Sequence, residues 1–187
     1  MRLPNSTHMS WPWRIHELTR DFRLEDVWAV PGFGGADDFR RLVHRIASSD
    51  SWQNLPVAVR TLFAIRRNIG ELLGWDGRDA RRPGMPTLRD RLPPDLREAP
   101  SGPVFEALPF NSIYLIDNEW AAEIANRIVH AVLHLGRVPD RTGSFRAQMA
   151  ILVKPNGVFG SAYMAAIKPF RHVIVYPALL RAMGASR

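Results

Sequence analysis

The chain has 187 residues, 46% hydrophobic content, 6 Trp, no cysteine and a formal net charge of +7. That length and apolar content fit one folded domain that buries roughly 70% of its unfolded surface, and they argue against a disordered chain. The absence of cysteine excludes disulfides, thiol nucleophiles and Cys-ligated metal sites.

The opening stretch, MRLPNSTHMSWPW, lacks the apolar core of a signal peptide. No run of 18 apolar residues exists, so no membrane-spanning helix is expected and a cytoplasmic location is the default. Residues 1–23 read as an N-terminal extension ahead of a single domain over 24–187. Residues 24–30 (LEDVWAV) are rich in strand formers and read as the first strand. PGFGGADD follows. It resembles a dinucleotide loop only superficially, because the third glycine is missing and Asp37 and Asp38 would repel a phosphate. A glycine turn opening a helix is the expectation. Phe39, Leu42, Val43, Ile46 and Ala47 then fall on one helical face. A second helix starts near Asn54 and Pro56, carries Leu62, Ile65, Ile69 and Leu72 as its stripe, and ends near Gly74.

Residues 76–103 are dense in Arg and Pro and read as a mostly irregular insertion with at most one helical turn around Leu88. Strand signals return at 111–116, 120–126, 129–138 and 144–154, as an antiparallel meander with one buried face. Pro155-Asn156-Gly157 turns the chain into one long helix, with a kink expected at Pro169 and an end or bend at Pro177.

The polar residues in these strands have ordinary readings. His130 and His134 are four residues apart on a strand, about 13 Å, too far to share one ion. Their face opposes the apolar one, so both are expected to point outward, and no metal site is assigned. Asp117 and Glu119 read as solvated acids flanking a turn. Almost all of the positive charge is arginine, with Lys154 and Lys168 the two lysines. The arginines interleave with acids (RLEDVW, RDRLPPDLRE), and no nucleic-acid module is visible, so nucleic acid is not the expected partner.

AEIANR, VLHLG, VKPNG and YMAAIKPFRHVIVYP resemble an uncharacterised, largely actinobacterial family, domain-of-unknown-function family 2867. The resemblance runs from about Glu25 onward and places the chain among Bet v 1-like (SRPBCC) proteins, which include START lipid carriers and polyketide cyclases. It implies an α+β helix-grip fold, an antiparallel sheet wrapped around a long terminal helix with two shorter helices after the first strand. It also implies a cavity between sheet and helix that holds an apolar small molecule. It carries no catalytic motif, so no catalytic residue and no cofactor is assigned.

Strand parity puts Trp120, Ala122, Ile124 and Asn126 on the inward face, and Phe145 and Met149 on that of a neighbouring strand. Phe159 and Tyr163 share the inner stripe of the terminal helix. These six, Tyr163, Asn126, Trp120, Met149, Phe145 and Phe159, are the expected ligand-lining residues, with Tyr163 as polar anchor or general acid. Asn126 either bonds backbone at its strand end, the favoured reading, or orients a ligand. The leading expectation is a binding protein for an apolar ligand. The alternatives are a cyclase, dehydratase or isomerase acting on a polyketide- or terpenoid-like substrate, and a module docking on a protein or membrane surface through residues 76–100 or the cationic Lys168, Arg171 and His172.

Overall fold

A computed structural model of the chain describes residues 1–30, 38–48, 87–106, 108–126, 128–139 and 144–170. In chain order these form β1 (Arg2–Leu3), α1 (Asn5–Met9), α2 (Ile15–Leu18), β2 (Arg23–Val30), α3 (Asp38–Ala47), a 3-10 turn (Leu88–Arg91), α4 (Pro94–Glu98), β3 (Asn111–Leu115), β4 (Glu119–Ala125), β5 (Val129–Pro139), β6 (Phe145–Pro155) and α5 (Gly157–Phe170). The six strands make one antiparallel sheet in the order β1-β2-β6-β5-β4-β3. The architecture is α+β. The expected strands and α3 appear within about two residues of the positions read from the sequence. The glycine turn after β2, the second helix and the bend at Pro177 lie outside the described residues.

One face of the sheet carries a row that crosses five strands in register: Trp28, Met149, Leu135, Trp120 and Leu115. All five are buried. Helix α3 closes this face with Phe39, Leu42, Val43, Ile46 and Ala47, the whole apolar stripe of its sequence. Each large side chain sunk here stabilises the fold by roughly 1.5–3 kcal/mol. Further along the same face, Met164 of α5 packs on Val129 and Val153.

The sheet was expected to bury one face, and it buries both. On the second face Val27, Ile113, Tyr114, Ala121, Val132, Ala150 and Leu152 pack against Leu3, Trp13, Ile15 and Leu18 from one segment and Leu88, Leu92 and Leu96 from another. Residues 1–18 therefore cover the sheet, with β1 adding an edge strand to β2 through Arg2↔Trp28 and Leu3↔Val27. The described part of the Arg/Pro-rich stretch is more ordered than the sequence suggested. Thr87 and Asp90 close a capping box on the 3-10 turn, and Pro94 sits in the first turn of α4, where its missing N–H costs nothing. Leu88, Leu92 and Leu96 recur at a spacing of four and point the segment at the sheet.

A β-bulge in β3 fixes one further detail. The register steps from Ser112↔Ala122 to Tyr114↔Ala121, so one extra residue enters β3. An unbroken strand would put Ser112 and Tyr114 on the same face; the bulge sends Tyr114 to the second face. Ser112 stays on the first, where its hydroxyl accepts from the Trp120 indole N–H at 3.3 Å.

Candidate functional site

The expected ligand-lining residues with described side chains are spread along the first face. Trp120 and Met149 lie in the central row, 0% and 1% exposed, with Phe105 stacked on Trp120 at 5.7 Å between ring centroids. They are packed core. Phe145 is half-buried at the far end of β6, opposite Pro139, beneath the Arg137 guanidinium at 4.3 Å. Asn126 is at the other end, roughly 33 Å away along a strand of this length. Phe159 and Tyr163 belong to α5, and their side chains lie outside the described residues.

Asn126 has a structural role. Its side-chain oxygen accepts from the backbone N–H groups of Ile128 and Val129, both at 2.9 Å, which closes the β4–β5 turn. Its backbone carbonyl accepts from the Asn156 side-chain amide at 2.7 Å, and the Asn156 N–H donates to the Ile128 carbonyl at 2.8 Å. Helix α5 starts against the same turn. A Cβ on Gly160 would fall 2.2 Å from the Ile128 carbonyl oxygen, so only glycine permits this approach. Between this junction and the α3 core, Ile124, Ala131 and Ile151 are half-buried apolar residues on the first face.

The second face holds what the sequence reading placed in solvent. His130 and His134, expected to point outward, are buried, and so are Glu119 and Glu123. Their parity was read correctly; the error was to treat that face as open. The two covering segments exclude water from it. Glu119 Oε1 accepts from the Tyr114 hydroxyl at 2.6 Å, from the Ile15 N–H at 2.9 Å and from His134 Nε2 at 3.1 Å, and its Oε2 accepts from the Arg14 N–H at 2.8 Å. Glu123 Oε2 accepts from the Leu88 N–H at 2.9 Å and from His130 Nε2 at 2.6 Å. Each carboxylate therefore satisfies backbone N–H groups at the start of a short helical turn, groups that no intrahelical carbonyl can reach. Each also pairs with a histidine from the neighbouring strand.

From His134 the contacts continue outward. His134 Nδ1 lies 3.1 Å from His8 Nε2, and His8 Nδ1 lies 3.1 Å from His16 Nε2. Burial tends to raise the pKa of Glu119. The bonds from His134, Tyr114 and the Arg14 backbone outweigh it and hold the carboxyl below its usual range, so it is ionised at neutral pH. An ionised oxygen can only accept, so His134 donates to it from Nε2, and the rings of His134, His8 and His16 follow in one nitrogen-to-nitrogen chain. Burial, with the neighbouring imidazoles His134 and His16, keeps His8 neutral down to about 2. Burial and His134 also lower His16. Burial and the Glu119 charge push the Tyr114 hydroxyl well above 10.

Beside this chain, the Trp13 ring occupies the space a side chain at position 136 would need, since a Cβ on Gly136 would lie 2.6 Å from it. Gly136 pairs with Gln148, whose side-chain amide is buried. Neither that amide nor the Trp13 indole N–H has a hydrogen-bond partner among the described residues. Each such group costs about 1–3 kcal/mol. Among the described residues no group of three or more acids and histidines is arranged to hold a metal ion, and no helix is long and apolar enough to cross a membrane.

The family model DUF2867, described as a protein of unknown function, matches residues 18–178, most of the chain. No significant match emerges among curated proteins or among solved structures.

Proposed function

We propose that this chain, which belongs to the DUF2867 family of proteins of unknown function, binds a small apolar molecule on the first face of its sheet, between the sheet and the helix beginning at Gly157. The observation that carries this reading is the half-buried apolar group Ile124, Ala131 and Ile151, lying between the α3 core and the Met164 contact of α5. Small-molecule sites are mostly apolar, with few polar groups. Trp120 and Met149 are packed beside this group on the same face, and Phe159 and Tyr163 of α5 are the residues proposed to complete its wall. On this reading the domain works as a helix-grip protein of the Bet v 1-like kind, and binding takes the ligand's apolar surface out of water.

Native mass spectrometry of protein purified from its own host, followed by solvent extraction, tests the reading. A discrete added mass is expected. Ala131→Trp, which fills the middle of the group, should lose that mass while keeping the fold. A bare chain, or a mass that persists in folded Ala131→Trp, would overturn the assignment. Asn126 is a poor probe, because Asn126→Ala would open the β4–β5 turn whether or not a ligand binds.

A further inference from the structure

Residues 1–18 are held on the second face by three sets of contacts: the β1 pairing, the Arg14 and Ile15 N–H groups on Glu119, and the imidazole chain from His16 through His8 to His134. The chain has a half-buried outer end at His16 and a buried inner end at Glu119. His16–His8 and His8–His134 ring centroids are 4.9 and 5.0 Å apart. The groups facing it from every packed element are Arg14 and Glu17 of its own segment, Asp95 of α4, which is bonded to Arg14, Tyr114 and Glu119 of the sheet, and the Glu123–His130 pair further along β4 and β5. Among the described residues, Glu119 alone of these carboxylates bonds to a member of the chain.

That imbalance decides how the segment responds to acid. Three imidazoles share one carboxylate, so a single added proton finds a counter-charge and a second finds none. Lifted off the sheet, His8 and His16 would stand in water and each would take a proton below about 6.5. We propose that the His16–His8–His134–Glu119 chain is an acid-released latch: it holds residues 1–18 over the sheet at neutral pH and frees them on acidification. Docking also carries a cost that favours release, because the Trp13 indole N–H of the segment is buried without a partner among the described residues.

The sign follows from linkage. Docking favours the neutral form of His8 and His16, so the docked state binds fewer protons. Its advantage is complete above about 6.5 and declines as pH falls below that value. For a group protonated only when released, the undocking equilibrium grows about 10-fold between pH 7.5 and 5.5; His8 supplies that factor and His16 adds to it.

Amide hydrogen exchange, corrected for the intrinsic pH dependence of exchange, reads this directly. Protection of residues 5–18 should fall by more than about 10-fold from pH 7.5 to 5.5 while that of residues 132–138 and 147–152 holds. In His16→Gln, which keeps a hydrogen-bonding amide toward His8 but cannot titrate, the fall should shrink to about 10-fold. Gly136→Ala, whose methyl group would meet the Trp13 ring, should leave residues 5–18 unprotected at both pH values. A parallel loss in both regions, an unchanged segment, or a His16→Gln response equal to that of the parent chain would each overturn the latch.

Discussion

The two faces of the sheet are built from alternate residues of the same strands, yet they are held by different physics. Among the described residues, Leu135, Trp120 and Met149 share one apolar cluster with the amphipathic helix α3, and packing area suffices. One residue along each strand, Gly136, Glu119 and Gln148 lie on the face covered by short pieces of chain: helices of five, four and five residues and a 3-10 turn. Pieces that short carry no long apolar stripe, and burial alone would leave their position loosely defined. The buried carboxylates supply direction. Glu119 fixes residues 14 and 15, and Glu123 fixes residue 88. A face closed by an amphipathic helix can be apolar; a face tiled by short pieces needs directional bonds to set the tiles.

Three substitutions sharpen this contrast. The largest effect belongs to Trp120→Ala, which empties the centre of the apolar row and should cost about 4 kcal/mol in urea unfolding, by the same amount at pH 7 and pH 4. An unchanged midpoint would show that the row is not core. Glu119→Gln comes next at about 2 kcal/mol at pH 7, since four donors converge on an acceptor that has lost its charge. Because the Glu119 carboxyl is held below its usual range, its contribution is present above that range and lost as pH falls through its folded value. The gap between Glu119→Gln and the parent chain should therefore narrow in acid; a gap of constant size would make the carboxylate's charge irrelevant. The smallest effect is Tyr114→Phe, about 1 kcal/mol, because one donor of four is removed and the ring remains. A loss as large as that of Glu119→Gln would mean that the hydroxyl, rather than the carboxylate, organises the site.

The fold was legible where a long pattern existed. The period-two strands and the α3 stripe carry their own burial signal, and so do the turn residues Asn126 and Gly157. The second face was not legible, because its burial is imposed by residues distant in sequence. MRLPNSTHMSWPWRIHEL has no sustained helical or strand period, so it read as an extension. His130, His134, Glu119 and Glu123 are polar by type, and polar alternation on a strand ordinarily means solvent. A signal was nonetheless present. Two acids four apart on one strand face two histidines four apart on the next across a short turn, so the antiparallel register sets Glu119 beside His134 and Glu123 beside His130. Complementary charge at matching spacing on paired strands points to a buried network when apolar residues share the same face, as Ala121 and Val132 do here.

The notch at Gly136 also sets an order of events. His8 and its partner His134 are separated by 126 positions, and the seat for Trp13 does not exist until β5 lies between β4 and β6. Contacts of such long sequence separation form late in folding. During synthesis the segment holding Trp11 and Trp13 is thus made more than a hundred residues before anything can receive it, and its aromatic side chains stay open to chaperones and to other chains until the meander closes.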